Sequence, residues 1–210
     1  GCWLDMAHPY ITLENNYIES CWWIMKRLWD KGLIYQGYKV TPHCPRCGTS
    51  LSSHEVALGY EEVDDPSVWV KFKLGLAQPG GSETARSLLS STLPTYLLAW
   101  TTTPWTLPGN TALAVALEAE YAVVEVDDEY FILADALLEQ AGLGEYKMIG
   151  VVKGSVLVGL HYEPLYSNID IRYVKGDKRA YRVIEGDFVS LEEGTGIVHI
   201  AQAYGEIDFE

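Results

Sequence analysis

Threonine hydroxyls are concentrated in residues 100–110, which read WTTTPWTLPGN. Thr101, Thr102 and Thr103 are adjacent, and each offers one methyl group and one hydroxyl on a stiff, β-branched side chain. Prolines on both sides of Trp105 fix φ and remove backbone donors, so we expect the segment to leave its strand as a rigid turn. This rigid row of threonines, called the threonine wall below, can discriminate small apolar side chains by size, and its hydroxyls can hydrogen-bond an ester or amide beside them. Residues 100–110 are therefore predicted to line a ligand pocket.

A histidine and an aspartate follow a glycine-rich turn near the end of the sequence. His199 comes shortly after Gly194-Thr195-Gly196 on a strand-like run, and Asp208 follows nine residues later. An imidazole and a carboxylate at this spacing can line one pocket, where the carboxylate can hold an ammonium group by charge-assisted hydrogen bonds. The same residues also suit a structural histidine on a strand and an aspartate that caps a helix. Both interpretations stay open on spacing alone.

Cys44 and Cys47 form a CxxC on a predicted tight turn. Two thiolates so placed can bind one tetrahedral ion, so we expect half of a structural zinc knuckle, completed by ligands from elsewhere or by His43. A redox CxxC opens a helix in a βαβ unit, and residues 49–53 do not resemble one. The sequence contains no P-loop, dinucleotide fingerprint or GxSxG serine elbow, so covalent catalysis is not expected.

The composition is that of a globular protein with an acidic surface. The 210 residues are 48% apolar and carry a net charge of −14, which argues against the chain gripping a nucleic-acid backbone by itself. No apolar run approaches the roughly 18 residues needed to cross a bilayer, so no membrane partner is expected. The cysteines do not form a disulfide framework, which favours a cytoplasmic location. The sequence lacks an initiator Met, and we expect it to be a piece of a longer protein.

Hydrophobic periodicity predicts a mixed α+β fold that is mainly β. Apolar residues at helical spacing predict an amphipathic helix with its N-cap at Thr12 and its end at Gly32. Later runs alternate with period two or are short and apolar, and short helices are expected at 84–90 and 134–141. Predicted strands lie at 68–74, 95–102, 111–117, 122–126, 130–133, 155–160, 171–174, 182–185 and 197–201. We expect a helical segment with the zinc half-knuckle at 1–53 and a β-barrel-like domain with peripheral short helices at 54–210.

Taken together and in order, three motifs resemble those of the isoleucyl-tRNA synthetases. They are the run from YIES at 17–20 to HCPRC at 43–47, the threonine stretch 100–110, and GTGIVHIA at 194–201 followed by Gly205-Glu206 and Asp208. Valyl and leucyl relatives have a related threonine segment, usually with Arg-Pro after the threonines, and they remain the alternatives. The family's HIGH and KMSKS signatures are missing, so no aminoacyl-adenylate formation is expected here. The resemblance implies the inserted editing (CP1) domain and its entry from the catalytic domain.

The resemblance implies hydrolytic proofreading. The family ligates isoleucine to tRNA(Ile) with ATP and must reject valine, which is smaller by one methylene. For this family that difference is known to be worth only about 1–3 kcal/mol in a pocket, so a second, hydrolytic sieve is needed. The implied partners are the tRNA(Ile) 3′ end carrying valine and the remainder of the parent synthetase. Valyl-adenylate is a further implied substrate, and the hydrolysis needs no cofactor.

The resemblance also implies roles for individual residues. The expected catalytic set is Thr101, Thr102, Thr103, His199 and Asp208, and the expected substrate-binding set is Trp105, Thr106, Asn110 and Ala201. Asp208 would anchor the α-ammonium group, the threonines would line the side-chain pocket and the terminal adenosine with Trp105 behind them, and His199 would exclude isoleucine. Water would be the nucleophile. The alternative is a module that holds the tRNA acceptor end and hydrolyses little when isolated.

Overall fold

The computed structural model describes residues 3, 5–75, 93–166 and 180–209. The chain divides into two compact units, Gly1–Lys39 and Val40–Glu210. The predicted domain boundary between residues 53 and 54 stays a prediction. The helix predicted at 84–90 and the strand predicted at 171–174 lie outside the described residues. Within the described part of the chain, no helix is both long enough and apolar enough to span a bilayer.

The described residues of the first unit form helix α1 (Asn15–Asp30) and irregular segments on either side of it. The helix begins after Glu14 rather than at the predicted cap Thr12, and it ends as expected before Gly32, whose φ of +68° favours glycine. A Lys26–Asp30 ion pair of 3.1 Å supports the last turn. Helix α1 carries three exposed tryptophans, Trp22, Trp23 and Trp29.

The second unit begins with a small hairpin and a short helix. Strands β1 (His43–Cys44) and β2 (Thr49–Ser50) pair antiparallel, and helix α2 (Ser53–Ala57) follows. A capping box starts α2: the Ser52 hydroxyl accepts from the backbone N–H of Glu55, and the Glu55 carboxylate accepts from the backbone N–H of Ser52.

Two further sheets form the body of the second unit. The larger contains the strands β3 (Val68–Lys73), β4 (Thr95–Thr101), β6 (Glu120–Val126), β7 (Glu129–Ala134) and β8 (Lys147–Lys153). Their order in the sheet is β3-β4-β7-β6-β8, in which β4 and β7 run parallel and all other neighbours run antiparallel. The smaller sheet places β5 (Ala112–Val115) between β9 (Arg182–Glu185), which is parallel to it, and β10 (Ile197–Ile200), which is antiparallel.

The main core draws on both sheets. Side chains alternate along each strand, so Leu97 of β4 belongs to this core while its neighbour Leu98 belongs to a second cluster that includes Leu138. On β5, Leu113 likewise belongs to the main core, whereas Ala112 belongs to a third cluster. Burial on both faces explains why these strands are continuous apolar runs in the sequence rather than strictly alternating ones.

Three expectations about the fold are corrected. Among the described residues the strands form separate sheets and no closed barrel is found; the larger sheet has edges at β3 and β8. The sheets are linked at one corner, where isolated bridges join Tyr162 to Leu74 and His161 to Arg182. The strand predicted at 155–160 is instead a helical turn, α3 (Gly154–Leu157), and the helix predicted at 134–141 is reduced to the 3₁₀ turn Asp135–Leu137.

Candidate functional site

The threonine stretch leaves β4 and becomes a 3₁₀ segment, Pro104–Gly109. Thr101 ends β4 and accepts the backbone N–H of Thr103 on its hydroxyl at 3.0 Å. The hydroxyls of Thr101 and Thr103 lie 3.2 Å apart, and those of Thr103 and Thr106 lie 3.5 Å apart. Thr101 and Thr106 are buried, whereas Thr102 and Thr103 are half-buried. The sequence prediction of a rigid turn that carries a row of hydroxyls matches this geometry.

His199 of β10 is hydrogen-bonded to this row. Its Nε2 lies 3.0 Å from the hydroxyl of Thr106, and the same hydroxyl lies 2.7 Å from the carbonyl oxygen of Thr103. Because a carbonyl oxygen can only accept, the Thr106 proton is used there, and we infer that His199 Nε2–H is the donor to Thr106. Nδ1 of His199 is buried and has no hydrogen-bond partner in the described structure.

The electrostatic surroundings favour the neutral imidazole. Burial lowers the pKa of His199 below its ordinary value of 6.5, and the nearby negative charge of Asp208 opposes that shift. His199 is only 8% exposed. It is therefore suited to fill space and to hold Thr106 rather than to supply a positive charge.

The glycine-rich turn before β10 has a packing role. Gly194 and Gly196 both have positive φ, and a Cβ added to Gly196 would lie 2.5 Å from the Cβ of Ala134. A Cβ on Gly194 would lie 3.0 Å from the Trp100 ring. The backbone N–H of Ala134 donates to the carbonyl oxygen of Thr195 at 2.8 Å. These contacts explain why a Gly-Thr-Gly sequence that fits no phosphate-binding fingerprint precedes His199.

Asp208 lies on a short helix, α4 (Glu206–Phe209), and is half-buried. Its Oδ2 accepts the backbone N–H of Ala201 at 2.7 Å. Ala201 directly follows β10 and is 1% exposed. One carboxylate oxygen therefore ties α4 to the strand that carries His199. Among the described residues, the other oxygen, Oδ1, has no hydrogen-bond partner.

Trp105 and Asn110, both predicted to bind substrate, differ in their exposure. Trp105 is 60% exposed, so it does not pack behind the threonines as the resemblance implied. Asn110 is 4% exposed, and both ends of its amide are engaged. Its Oδ1 lies 2.6 Å from the Tyr162 hydroxyl, and its Nδ2 lies 2.9 Å from the carbonyl oxygen of Ala112. The structure thus joins Asn110 to Tyr162, while Thr106 is joined to His199.

Cys44 and Cys47 lie in the β1–β2 hairpin. The backbone N–H of Cys47 points at Cys44 Sγ, with a distance of 3.4 Å, and this hydrogen bond lowers the pKa of the Cys44 thiol. Gly48 has a φ of +68° and closes the turn through a 2.8 Å hydrogen bond to the Cys44 carbonyl oxygen. Within residues 5–75, 93–166 and 180–209, no group of three or more histidine, cysteine or acidic side chains is placed to bind a metal. The zinc half-knuckle at Cys44 and Cys47 therefore stays a prediction.

Sequence reasoning missed two buried tyrosines that support the site. Besides Tyr162, the hydroxyl of Tyr121 accepts the backbone N–H of Ala116 at 3.0 Å and donates to the carbonyl oxygen of Gly196 at 2.7 Å. The partners of these tyrosine hydroxyls are far away in the sequence or are backbone groups, so no local motif marks Tyr121 or Tyr162. The continuous apolar run of β6 indicates only that Tyr121 lies on a buried strand.

A protein-family model and curated relatives both match nearly the whole chain. The family model of the class I tRNA synthetases (I, L, M and V) matches residues 1–200. The isoleucine–tRNA ligase of Dehalococcoides mccartyi strain CBDB1 is 50% identical over 99% of this chain and 22% of its own length. That of Clostridium acetobutylicum is 49% identical over 99% of this chain and 18% of its own. The chain therefore spans about a fifth of the length of these curated relatives.

Solved structures give weaker similarities. GlLeuRS-CP1 aligns with a TM-score of 0.48 and 22% identity, over 63% of this chain and 54% of that one. The editing domain of the P. knowlesi cytosolic leucyl-tRNA synthetase aligns with a TM-score of 0.47 and 16% identity, over 65% of this chain and 56% of that one.

Proposed function

The chain belongs to the class I tRNA synthetases of the I, L, M and V group, and we propose that it is the editing region of an isoleucine–tRNA ligase. Its relatives at about 50% identity carry that name. In this proposal, water attacks the carbonyl carbon of the ester that joins valine to the 3′ end of tRNA(Ile). The ester C–O bond breaks, and free valine and the tRNA hydroxyl are released. Valyl-adenylate is a second substrate of the same site.

The observation that carries the proposal is the hydrogen-bonded row from Thr101 to His199. Thr106 links the threonine segment to His199 at 3.0 Å, so the imidazole is held in direct contact with the hydroxyl row. A binding surface of fixed shape is what a sieve needs to accept valine and exclude isoleucine, which is longer by one methylene. The polar groups along the row supply hydrogen bonds to the ester and to the attacking water.

Asp208 supplies the charge that orients the amino acid. Its Oδ2 accepts from Ala201, and Oδ1 would accept from the α-ammonium group of the substrate. The neutral state of His199 suits this arrangement, because an imidazolium would compete for the same carboxylate. Asp208 is thus both part of the fold and the anchor of the substrate.

Deacylation of two charged tRNAs tests the proposal. We expect the intact protein that contains this chain to deacylate Val-tRNA(Ile) much faster than Ile-tRNA(Ile) in single turnover. Asp208→Asn keeps an oxygen that accepts from Ala201 but removes the charge. It should lower kcat/KM for Val-tRNA(Ile) roughly 10- to 150-fold, the value of a hydrogen bond to a charged group.

Glu206→Gln is the matched control, because Glu206 is exposed on the same helix and the substitution changes the net charge equally. It should deacylate like the wild type. If Asp208→Asn also does so, Asp208 does not anchor the substrate. If the wild type shows no preference for Val-tRNA(Ile), the proposed function itself is wrong.

A second candidate function follows from the charge of the chain. With a net charge of −14, this part of the protein cannot attract the tRNA backbone by itself, and the basic surface must come from the remainder of the parent. The chain alone would then position the acceptor end without much hydrolysis. Comparing single-turnover deacylation by the chain alone with that by the intact protein separates the two, because full activity of the chain alone eliminates the second candidate.

A further part of the proposal concerns zinc binding by the β1–β2 hairpin. Cys44 and Cys47 would hold a structural Zn²⁺, since the N–H of Cys47 directed at Cys44 Sγ stabilises a thiolate. The remaining ligands would come from the rest of the parent protein. The metal would fix the hairpin and take no part in hydrolysis.

A further inference from the structure

Asn110 stands at the end of the 3₁₀ segment that carries the threonine wall. Its backbone N–H donates to the Leu107 carbonyl oxygen at 3.0 Å, and β5 begins two residues later. The side chain is buried with both ends of its amide engaged. Any movement of Asn110 is therefore passed directly to the segment that contains Thr106.

The hydrogen bonds fix the orientation of the Asn110 amide. The carbonyl oxygen of Ala112 can only accept, so the group that faces it at 2.9 Å must be Nδ2. Oδ1 then faces the Tyr162 hydroxyl at 2.6 Å, and that hydroxyl is the donor. The other amide orientation would place two acceptors against each other. Asn110 thus depends on Tyr162 for its only side-chain donor in the described structure.

Tyr162 is itself held at the corner where the two sheets are linked. Its backbone bridges to Leu74, next to β3, and its N–H donates to the Tyr181 carbonyl oxygen, next to β9, at 3.0 Å. Its ring packs edge-on against Phe72, with ring centroids 5.2 Å apart. Burial raises the pKa of the Tyr162 hydroxyl, so it stays a protonated donor throughout the physiological pH range.

Side-chain hydrogen bonds therefore hold the 3₁₀ segment at two positions. Thr106 is bonded to His199 of the smaller sheet, and Asn110 is bonded to Tyr162 at the corner between the sheets. We propose that Asn110 and Tyr162 are positioning residues, which hold the threonine hydroxyls at the distance from His199 that hydrolysis requires, and that neither touches the substrate. This inference rests on the proposed editing function.

Single-turnover deacylation of Val-tRNA(Ile) by the intact protein tests the inference, with Tyr162→Phe, Asn110→Ala and the double variant. Misplaced hydroxyls should lower the maximal rate constant of each single variant roughly 5- to 30-fold, the effect of one lost buried hydrogen bond. The enzyme concentration at half-maximal rate should stay within about twofold of the wild type, because no substrate contact is lost. The double variant should be no slower than the slower single variant, since both remove the same bond.

Controls separate positioning from a general loss of stability. Ile132→Val truncates a residue that is 1% exposed on β7 and should cost a similar free energy of unfolding without changing the rate constant. A partly unfolded preparation lowers the amplitude of the reaction rather than its rate constant. Should Tyr162→Phe fail to fold, Asn110→Asp serves instead: its carboxylate faces the Ala112 carbonyl oxygen, so its rate relative to the wild type should rise as acid protonates it.

Several results would overturn the inference. One is a normal rate constant in Tyr162→Phe alongside a strong loss in Asn110→Ala, which would mean that Asn110 acts on the substrate directly. Others are additive losses in the double variant, a change confined to the half-maximal concentration, and an Asn110→Asp rate with no pH-dependent recovery. If the wild type deacylates nothing, the proposed function fails. The positioning role of Tyr162 is then tested by the side-chain ¹H–¹⁵N signal of His199. A shift of this signal in Tyr162→Phe but not in Ile132→Val supports the positioning role, and no shift in Tyr162→Phe refutes it.

Discussion

Replacing Thr106 with valine tests the hydrogen-bonded row most directly. The substitution keeps the β-branched shape and deletes the hydroxyl that donates to the Thr103 carbonyl oxygen and, by our inference, accepts from His199. The Thr103 oxygen keeps the backbone N–H of residue 106 as a partner at 3.0 Å. His199 Nε2–H loses its partner, and Nδ1 already has none in the described structure. The imidazole would then be buried with neither nitrogen bonded.

The expected cost follows from these contacts. An orphaned buried donor costs about 1–3 kcal/mol, and the lost second bond to Thr103 costs about 1 kcal/mol. The extra methyl group of valine returns about 0.8 kcal/mol. The net loss is about 1–3 kcal/mol, which corresponds to a fall of about 2–12 °C in the unfolding transition of a domain of this size. Thr106→Ser, which keeps the hydroxyl and loses only the methyl group, should cost about 1 kcal/mol.

Calorimetry and selective ¹⁵N labelling of histidine provide the assays. In the wild type, the neutral imidazole of His199 should carry its proton on Nε2, and this proton should exchange slowly with water. In Thr106→Val it should exchange faster, whereas Thr106→Ser should resemble the wild type. The reasoning is refuted if His199 carries its proton on Nδ1, or if Thr106→Val unfolds at the wild-type temperature.

Three further outcomes are expected. Gly196→Ala should destabilise the protein by more than about 2 kcal/mol in calorimetry, because it combines positive φ with a clash against Ala134, whereas Gly150→Ala, with no atom within 4 Å of the added Cβ, should be near neutral. Because burial lowers the pKa of His199 in the folded protein, a falling pH protonates His199 in the unfolded chain before it does so in the folded one. Stability should therefore fall below about pH 6.5, by at most about 1.4 kcal/mol per pH unit, and His199→Gln should remove this contribution. Cys44→Ser should lower the zinc content of the intact protein measured by atomic absorption; equal content would exclude this half-knuckle as a zinc site.

The strands that could be predicted from the sequence are those with a strong local pattern. Strand β9 was predicted within its observed bounds, Arg182–Glu185, and the apolar run that contains β5 was recognised as a strand. Strand β8 was not predicted, because it is an edge strand with mostly exposed side chains and a glycine in its centre. An edge position removes the burial on both faces that makes other strands visible in the sequence.

Tertiary contacts explain the wrong assignment after β8. The apolar run 155–160 has the composition of a strand, but its start is fixed by Gly154, whose N–H donates to the Ala119 carbonyl oxygen at 2.9 Å. A Cβ on Gly154 would lie 2.0 Å from the Ala116 carbonyl oxygen. This close backbone approach turns the chain into α3, and nothing in the local sequence reveals it.

The candidate site was predicted to the extent that its residues lie in short motifs. The threonine row and the strand position of His199 follow from local sequence, and the connection between Thr106 and His199 is consistent with the resemblance. The link from Tyr162 to Asn110 spans 52 residues and joins types that are common in many roles. Such a pair carries no sequence signal without a structure. The supporting contacts are therefore harder to predict than the residues they support.

The charge distribution of the site connects its fold to its proposed chemistry. Among the nine residues predicted for hydrolysis and substrate binding, Asp208 is the only one of a type that is charged at neutral pH. A protonated His199 would be attracted to Asp208 and would compete with the substrate ammonium for it. Burial, which lowers the pKa of His199, would keep the carboxylate available for the proposed substrate. The same burial places the imidazole against the Thr106 hydroxyl, so one packing arrangement sets both the position of His199 in the proposed sieve and its charge state.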